Sequence, residues 1–312
     1  MIYVYHSLDE VPDAGDMNVT LTLGMFDGVH LGHKKILDQV GQYHQMGVQA
    51  TGVVTFDRHP KELVDPSNSP RLLTTTAEKV KLLSDYKLTY ILVLPFDNEL
   101  AAMDAKDFVA DVLVGRLRVN QMIIGYDSRF GRGGAGDAAL LEQMGKAHGF
   151  TTKKVDAVKA GSYPVSSTAI RQLLDKGDVK AAASLLGRPY IIEGKVVKGL
   201  GLGKKLGFPT ANVKPDQRKL IPMNGIYAAW CWTSEGKKLA AVNIGVRPTI
   251  PLKDPEVTIE VHIPDFEGDL YEMKVGVEFA RFIRPEKKFE NVKMLVEQIK
   301  KDVDIAKKLL AG

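Results

Sequence analysis

The chain has 312 residues, 45% hydrophobic and 26% charged, with a net charge of +4. That length suits two domains with sizeable cores, and the mild charge admits small anions without implying nucleic acid. A single cysteine, Cys231, excludes an intramolecular disulfide framework. With no leader peptide and no long apolar span, it points to a cytoplasmic protein that stays out of membranes.

In chain order, residues 2–6 read as a short strand, and VTLTLG (19–24) as a buried one. Apolar spacing predicts a helix over 31–46, then a buried strand ending at Asp57-Arg58-His59-Pro60. A proline-bearing loop, a helix over 76–86 and the strand YILVLPF follow. The next elements are a helix over 105–117 with Asp104 as its N-cap, and the strand QMIIGYD. Asp137 caps a helix running to His148, before the strand TTKKVDAV. Alternating strands and helices predict a parallel sheet whose ligands bind at strand carboxyl ends. Marked loops fall at three such ends, at Gly24, Asp57 and Gly125. Ser166 or Ser167 caps a further helix, Gly177 ends it, and Asp178 caps another. After Pro189 five strand patterns separated by Gly, Pro and Asp suggest a small antiparallel barrel. A closing helix over 289–310 has an apolar stripe that predicts packing on its own domain. No internal repeat or low-complexity segment is visible.

The most selective stretch is GMFDGVHLGH (24–33), between a strand and a helix. Gly24 and Gly28 suit a tight turn. His30 and His33, three apart with Gly32 between them, sit at the predicted helix start, where free N–H groups and the positive dipole end seat a phosphate. Two imidazoles there can stabilise charge on a transferring phosphorus. A His pair at this spacing also serves as a metal half-site or a cap. The full spacing is similar to the signature of the HxGH nucleotidyltransferase superfamily.

Other constellations carry less by themselves. Pro60 fixes a turn, and His59 beside it can reach a ligand. The loop IIGYDSRFGRGGAGD (123–137) brings Asp127, Arg129 and Arg132 among glycines. Its arginines can clamp phosphates, although Arg132 reads as a solvated loop residue. SSTAIR (166–171) sets two hydroxyls and Arg171 on one helix turn, fit for a leaving pyrophosphate or simply an N-cap with a surface arginine. In GKKLGFPTANV (203–213), Thr210 and Asn212 face the same way in an extended chain. Their oxygens are hard ligands suited to Mg²⁺ beside nucleotide phosphates. Glu260 alternates with apolar Ile259 and Val261, and in a barrel mouth could take a proton from a substrate hydroxyl.

These stretches, with LLGRPY, NIGVRPT, IEVHI and the terminal RPEKKFENVKMLVEQIKKDV, resemble the prokaryotic bifunctional riboflavin kinase/FMN adenylyltransferases over almost the whole chain. The resemblance implies a Rossmann-like adenylyltransferase domain over 1–186. A six-stranded kinase barrel with a closing helix would span 187–312. FMN would be made from riboflavin in the second domain, and FAD from FMN, with pyrophosphate release, in the first. His30 and His33 would handle phosphate, and Glu260 would be the kinase base. Nucleotide and phosphate contacts are expected at Gly24, Phe26, Asp27, Gly28, Asp127, Ser167, Thr168, Arg171, Gly203, Lys204, Gly207 and Pro209. Flavin contacts are expected at His59, Pro60 and Arg129, and Mg²⁺ with ATP at Thr210 and Asn212. Partners would be ATP, riboflavin, FMN, FAD and pyrophosphate, without nucleic acid or membrane, in a monomer or weak oligomer. Two departures stand out: Leu202 and Lys204 occupy places where the family often has arginines, and Ser128 replaces a common aromatic. Leucine cannot replace a guanidinium, nor can lysine do so bidentately. Two alternatives stay open, an adenylyltransferase whose barrel no longer turns over and a non-catalytic flavin sensor.

Overall fold

The structure, a computed structural model, describes residues 2–161, 163–199, 201–246 and 257–311, with Tyr163 described by its backbone alone. It divides into two compact units, Met1–Ser167 and Thr168–Gly312.

The first unit contains β1 (Tyr3–Tyr5), β2 (Val19–Leu23), α1 (Leu31–Gln45), β3 (Ala50–Phe56), α2 (Pro60–Val64), α3 (Thr76–Leu83), β4 (Tyr90–Leu94) and α4 (Asn98–Ala102). After these come α5 (Ala105–Asp107), β5 (Gln121–Gly125), α6 (Ala138–His148), β6 (Thr151–Val155) and the small ribbon β7 (Lys159–Ala160) and β8 (Tyr163–Pro164). Six strands pair in parallel in the order β1-β4-β3-β2-β5-β6. Strand order reverses between β2 and β5, so the ligand crevice of such a sheet opens at their carboxyl ends. Both faces are covered, as near-continuous apolar strands require. Leu21, Leu92 and Met122 pack with Phe108 and Leu113 on one face; Val53, Ile91 and Ile123 pack with Ile36, Leu37 and Leu83 on the other.

Two local expectations need correction. The helix predicted over 105–117 is α-helical only through α5 and continues as a π-helix over Phe108–Arg116, its wider bonds seen where Leu117 N–H donates to Val112 O. Asp104 makes no capping bond; its carboxylate accepts from Arg132 at 2.7 Å. The loop expected after His59 contains α2. Pro60 is preorganised for a first helical turn, and His59 and Glu62 form a capping box across it.

The second unit begins within α7 (Ser167–Asp175) and continues through α8 (Val179–Leu186), capped by Asp178. Then come β9 (Tyr190–Val197), α9 (Leu202–Lys205), β10 (Ala211–Pro215), β11 (Gly225–Thr233), β12 (Gly236–Val246), β13 (Val257–His262), β14 (Lys274–Arg284) and α10 (Val292–Ala311). The strands close into a barrel in the order β10-β13-β12-β11-β14-β9. Residues 247–249 of the NIGVRPT segment lie outside the described residues. Alternate residues fill the barrel, among them Ile192, Tyr227, Val242, Val261 and Phe279, all at most 2% exposed. Cys231 is fully buried with them, and burial pushes its thiol up to about 11, leaving it inert. As predicted, α10 packs on its own unit, laying Ile299, Val303, Ala306 and Leu310 against Ala228, Ala241 and Ile283 on the outer barrel wall.

Candidate active sites

Between β2 and α1 the chain turns through Phe26, Gly28 and Val29, with φ of 50°, 81° and 38°. Glycine takes such values freely, but a β-branched valine does not. Each non-glycine outlier costs on the order of 1–3 kcal/mol, so neighbouring groups must hold the turn. Asp27 does much of this. It is 4% exposed, and its carboxylate accepts from the N–H groups of Leu73 (3.0 Å) and Thr74 (2.9 Å) and from the Thr74 hydroxyl (3.1 Å). The Thr74 oxygen in turn accepts from Gly28 N–H at 3.0 Å. Phe26 is 1% exposed, its ring centroid 5.0 Å from that of His33. The side chains of Phe26 and Asp27 therefore face inward.

His30 is the N-cap of α1, its Nδ1 accepting from His33 N–H at 3.3 Å. That bond leaves the proton of the neutral imidazole on Nε2. The two rings stack with centroids 3.6 Å apart and planes 15° from parallel. Gly32 makes this possible: a Cβ there would stand 3.1 Å from two atoms of the His30 ring. Both imidazoles thus gather at the positive end of a 15-residue helix.

Sequence reasoning missed what braces this turn. Lys79, on α3, is 3% exposed and donates to the carbonyls of Met25 (3.1 Å) and Phe56 (2.6 Å). It ties the carboxyl ends of β2 and β3. Burial pushes its ammonium down to about 8, against the pull of Asp27 and Asp57. Thr55 Oγ1 also donates to Met25 O, and Thr76 Oγ1 to Asp57 O. A visible sequence signal was the Thr75–Glu78 capping box, which starts α3. A lysine in a first helical turn, however, ordinarily reads as a surface residue.

Of the other expected residues in this unit, Ser167 reaches the turn, its hydroxyl donating to Asp27 O at 2.9 Å. Gly24 donates its N–H to Val54 O. Asp127 is exposed just beyond β5, its carboxylate close to Gly125. His59 accepts from Lys61 N–H through Nδ1, and Pro60 opens α2. Arg129 pairs with Asp137 at 3.3 Å, both partners well exposed. Thr168 and Arg171 lie on α7 in the second unit, Arg171 one turn along the helix face from Ser167.

In the barrel unit two cavities flank the GFPTAN segment. One, of about 410 Å³, lies between the barrel wall and α10 and is lined by Gly203, Phe208, Thr210, Glu260, Arg284 and Phe289 among others. The other, of about 240 Å³, is lined by Gly199, Gly201, Pro209, Thr210, Asn212 and Tyr271 among others. Thr210 borders both. Glu260 is not at a barrel mouth. Its neighbours Ile259 and Val261 are each 1% exposed inside the barrel, so Glu260 points outward into the larger cavity. Asn212 packs its amide where a Cβ on Gly199 would sit, so a larger residue there would push the amide aside. His262 donates from Nδ1 to Pro209 O at 2.9 Å, and Phe208 meets the His262 ring edge-on, docking the segment on β13. Lys204 and Leu202 are exposed on α9, with Gly207 just beyond at φ 83°. Arg284, which also lines the larger cavity, makes a two-pronged pair to Asp302 at 3.0 and 2.6 Å.

The first unit presents two stacked imidazoles at a helix start, and the second sets an acid on one of two cavities that share Thr210. Together they define a two-module nucleotide-dependent transferase. Residues 13–169 match the family described as FAD synthetase, and residues 186–310 that described as riboflavin kinase. The chain is 38% identical to the bifunctional riboflavin kinase/FMN adenylyltransferase of Escherichia coli K12 over 95% of this chain and 93% of that one. It is 37% identical to the Haemophilus influenzae protein of the same name, over 92% of each. The chain belongs to the bifunctional riboflavin kinase/FMN adenylyltransferase family. A solved structure described as a macrolide-efflux protein from Streptococcus pneumoniae shares the fold, with a TM-score of 0.87 and 27% identity over 98% of each chain. Efflux is said of that protein; among the described residues here, no helix is long and apolar enough to cross a membrane.

Proposed function

We propose a division of labour for a chain that makes FMN from riboflavin and FAD from FMN. The barrel unit phosphorylates. Riboflavin occupies the 410 Å³ cavity and ATP the 240 Å³ cavity, with Thr210 at their junction. Glu260 accepts the proton of the 5′-hydroxyl as its oxygen attacks the γ-phosphorus; the bond to the bridging oxygen breaks, and ADP leaves. The Thr210 hydroxyl and the Asn212 amide are the hard donors placed to hold Mg²⁺, which would neutralise charge on the phosphates.

The sheet unit adenylylates. An oxygen of the FMN phosphate attacks the α-phosphorus of ATP, the bond to the β-bridging oxygen breaks, and pyrophosphate leaves. No protein nucleophile or base is required, because the attacking phosphate is already an anion. His30 and His33, at the N-terminus of α1, stabilise the charge that builds up, while Gly24 and Gly28 shape the turn that presents them. Asp27 and Phe26 position that turn from behind. The motif residues Asp127, Ser167, Thr168 and Arg171 are assigned to ATP and pyrophosphate, and His59, Pro60 and Arg129 to the flavin. Gly203, Lys204, Gly207 and Pro209 are assigned to the kinase nucleotide. The functional boundary is placed at 186/187, and the working form is taken as a cytoplasmic monomer or weak oligomer without nucleic acid.

The stacked His30–His33 pair at the helix start carries the adenylyltransferase reading. The test supplies riboflavin with MgATP, then FMN with MgATP, and separates the flavins by chromatography. FMN and FAD from the first mixture and FAD from the second are expected. FAD from FMN alone would select a barrel without turnover, a reading that exposed Leu202 and Lys204 keep in view; no product from either would select a flavin sensor.

A further inference from the structure

The barrel register sets three polar side chains in one row. Asn212 on β10 stands opposite Glu260 on β13, which stands opposite Asn243 on β12. Directly opposed residues point to the same face, with Cβ atoms about 5 Å apart. Because Val242, Ile244, Ile259 and Val261 are buried inside the barrel, this row lies on the outer wall. Asn212 borders the 240 Å³ cavity, whereas Glu260 and Asn243 border the 410 Å³ one. The Asn243 Oδ1 atom is shut off from solvent and has no hydrogen-bond partner among the described residues. Leaving an amide oxygen in that state is costly.

We propose that Asn243 recognises the polyol chain of the flavin, pairing its amide with a secondary hydroxyl beside the one that is phosphorylated. This rests on placing riboflavin in the larger cavity with Glu260 as the base. The order along the row selects the hydroxyl. The phosphoryl donor stands on the Asn212 side, and Glu260 meets the terminal hydroxyl. Asn243 lies one strand farther from the nucleotide, a span that matches a few carbons of an extended polyol. A hydroxyl can both donate and accept, and so can an amide, so the pair forms with either face of the amide turned to the ligand. A site that hydrogen-bonds a substrate hydroxyl disfavours the analogue that lacks it, because its own polar group is then left unpaired.

The test compares riboflavin with a flavin carrying a 5-hydroxypentyl chain, which keeps the ring and the terminal hydroxyl but has no secondary hydroxyls. Kinase kcat/KM is measured with full-length wild type, Asn243→Ala and the near-isosteric Asn243→Leu. Wild type is expected to prefer riboflavin by 10-fold or more. Either variant should lose roughly 10- to 100-fold with riboflavin and about 2-fold or less with the analogue, so the preference collapses. FAD formation from FMN in the same preparations should stay unchanged, which reports an intact chain. An equal loss with both substrates, or a preference that survives in both variants, overturns the proposal. If Glu260→Gln keeps full kinase activity while the Asn243 variants lose the preference, the base assignment fails and the role of Asn243 stands. If wild type phosphorylates neither flavin, both fall.

Discussion

Lys79 brings its ammonium to 2.6 Å from the carbonyl oxygen of Phe56 and 3.1 Å from that of Met25, joining the ends of two strands beneath the histidine turn. The ammonium titrates at about 8 in the fold, against an ordinary 10.5. Between those values the unfolded chain holds a proton that the folded chain has released. Stability therefore rises with pH through that window, and the benefit is lost as pH falls through 8. The slope integrates to about 3 kcal/mol at most. Lys79→Met should flatten this rise in unfolding midpoint between pH 8 and 10. It should also lower FAD formation from FMN, because the Met25 and Phe56 carbonyls lose their shared donor, and leave FMN formation near wild type. A rise of the same size in the variant would remove Lys79 as its cause.

The stacked histidines define the next expectation. His30→Ala or His33→Ala should reduce FAD formation about 10²- to 10³-fold, the scale for losing one preorganised donor to a developing charge. FMN formation from riboflavin should be spared. Equal loss of both activities with an intact fold would contradict the division of labour.

Gly32→Ala probes the same stack without touching an imidazole. The new methyl would meet Cε1 and Nδ1 of His30 at 3.1 Å. The ring must give by a few tenths of an ångström, disturbing the stack and the cap on His33 N–H, while the methyl favours the helix, so the net change in stability stays within about 1 kcal/mol. FAD formation is expected to fall more steeply than the unfolding midpoint suggests. Unchanged kinetics would mean that the ring geometry does not matter to the reaction.

Glu260→Gln keeps the shape of the outer-wall row and removes the proton acceptor. FMN formation should fall about 10²- to 10⁴-fold, with FAD formation from FMN unaffected. Kinase turnover at the wild-type rate would leave Glu260 as a wall residue only.

How far the sequence could be read depended on whether the signal was local. The strand–turn–helix around His30 and His33 was legible because the apolar period switches from two to 3.6 across glycines. The barrel was legible from its alternating strands, although its sixth strand, β10, is short and follows a glycine-rich loop, so its alternation is weak. The π-helical turns after Asp107 were not legible, since their apolar pattern also suits an α-helix. The inward side chains of Asp27 and Lys79 were missed because their partners, Leu73, Thr74, Met25 and Phe56, lie far off in sequence. Glu260 was picked as an acid flanked by apolar residues; that it faces α10 rather than a barrel mouth follows only from the closed topology.

The pair between Arg284 and Asp302 gives the last prediction. Asp302 has a side chain 5% exposed, and it also accepts from Gln298 Nε2 at 2.9 Å. It fastens α10 to the end of β14 and thereby forms one wall of the 410 Å³ cavity. Removing one member strands a partly buried charge, which costs about 3 kcal/mol where burial is deep. Asp302→Ala should therefore lower the unfolding midpoint and raise the KM for riboflavin more than it lowers kcat, because the wall loosens while Glu260 stays in place. Asp302→Ala combined with Arg284→Met, which leaves no orphan charge, should recover part of the stability. If the double variant is no more stable than the single one, the lost stability came from packing on α10 rather than from the unpaired guanidinium.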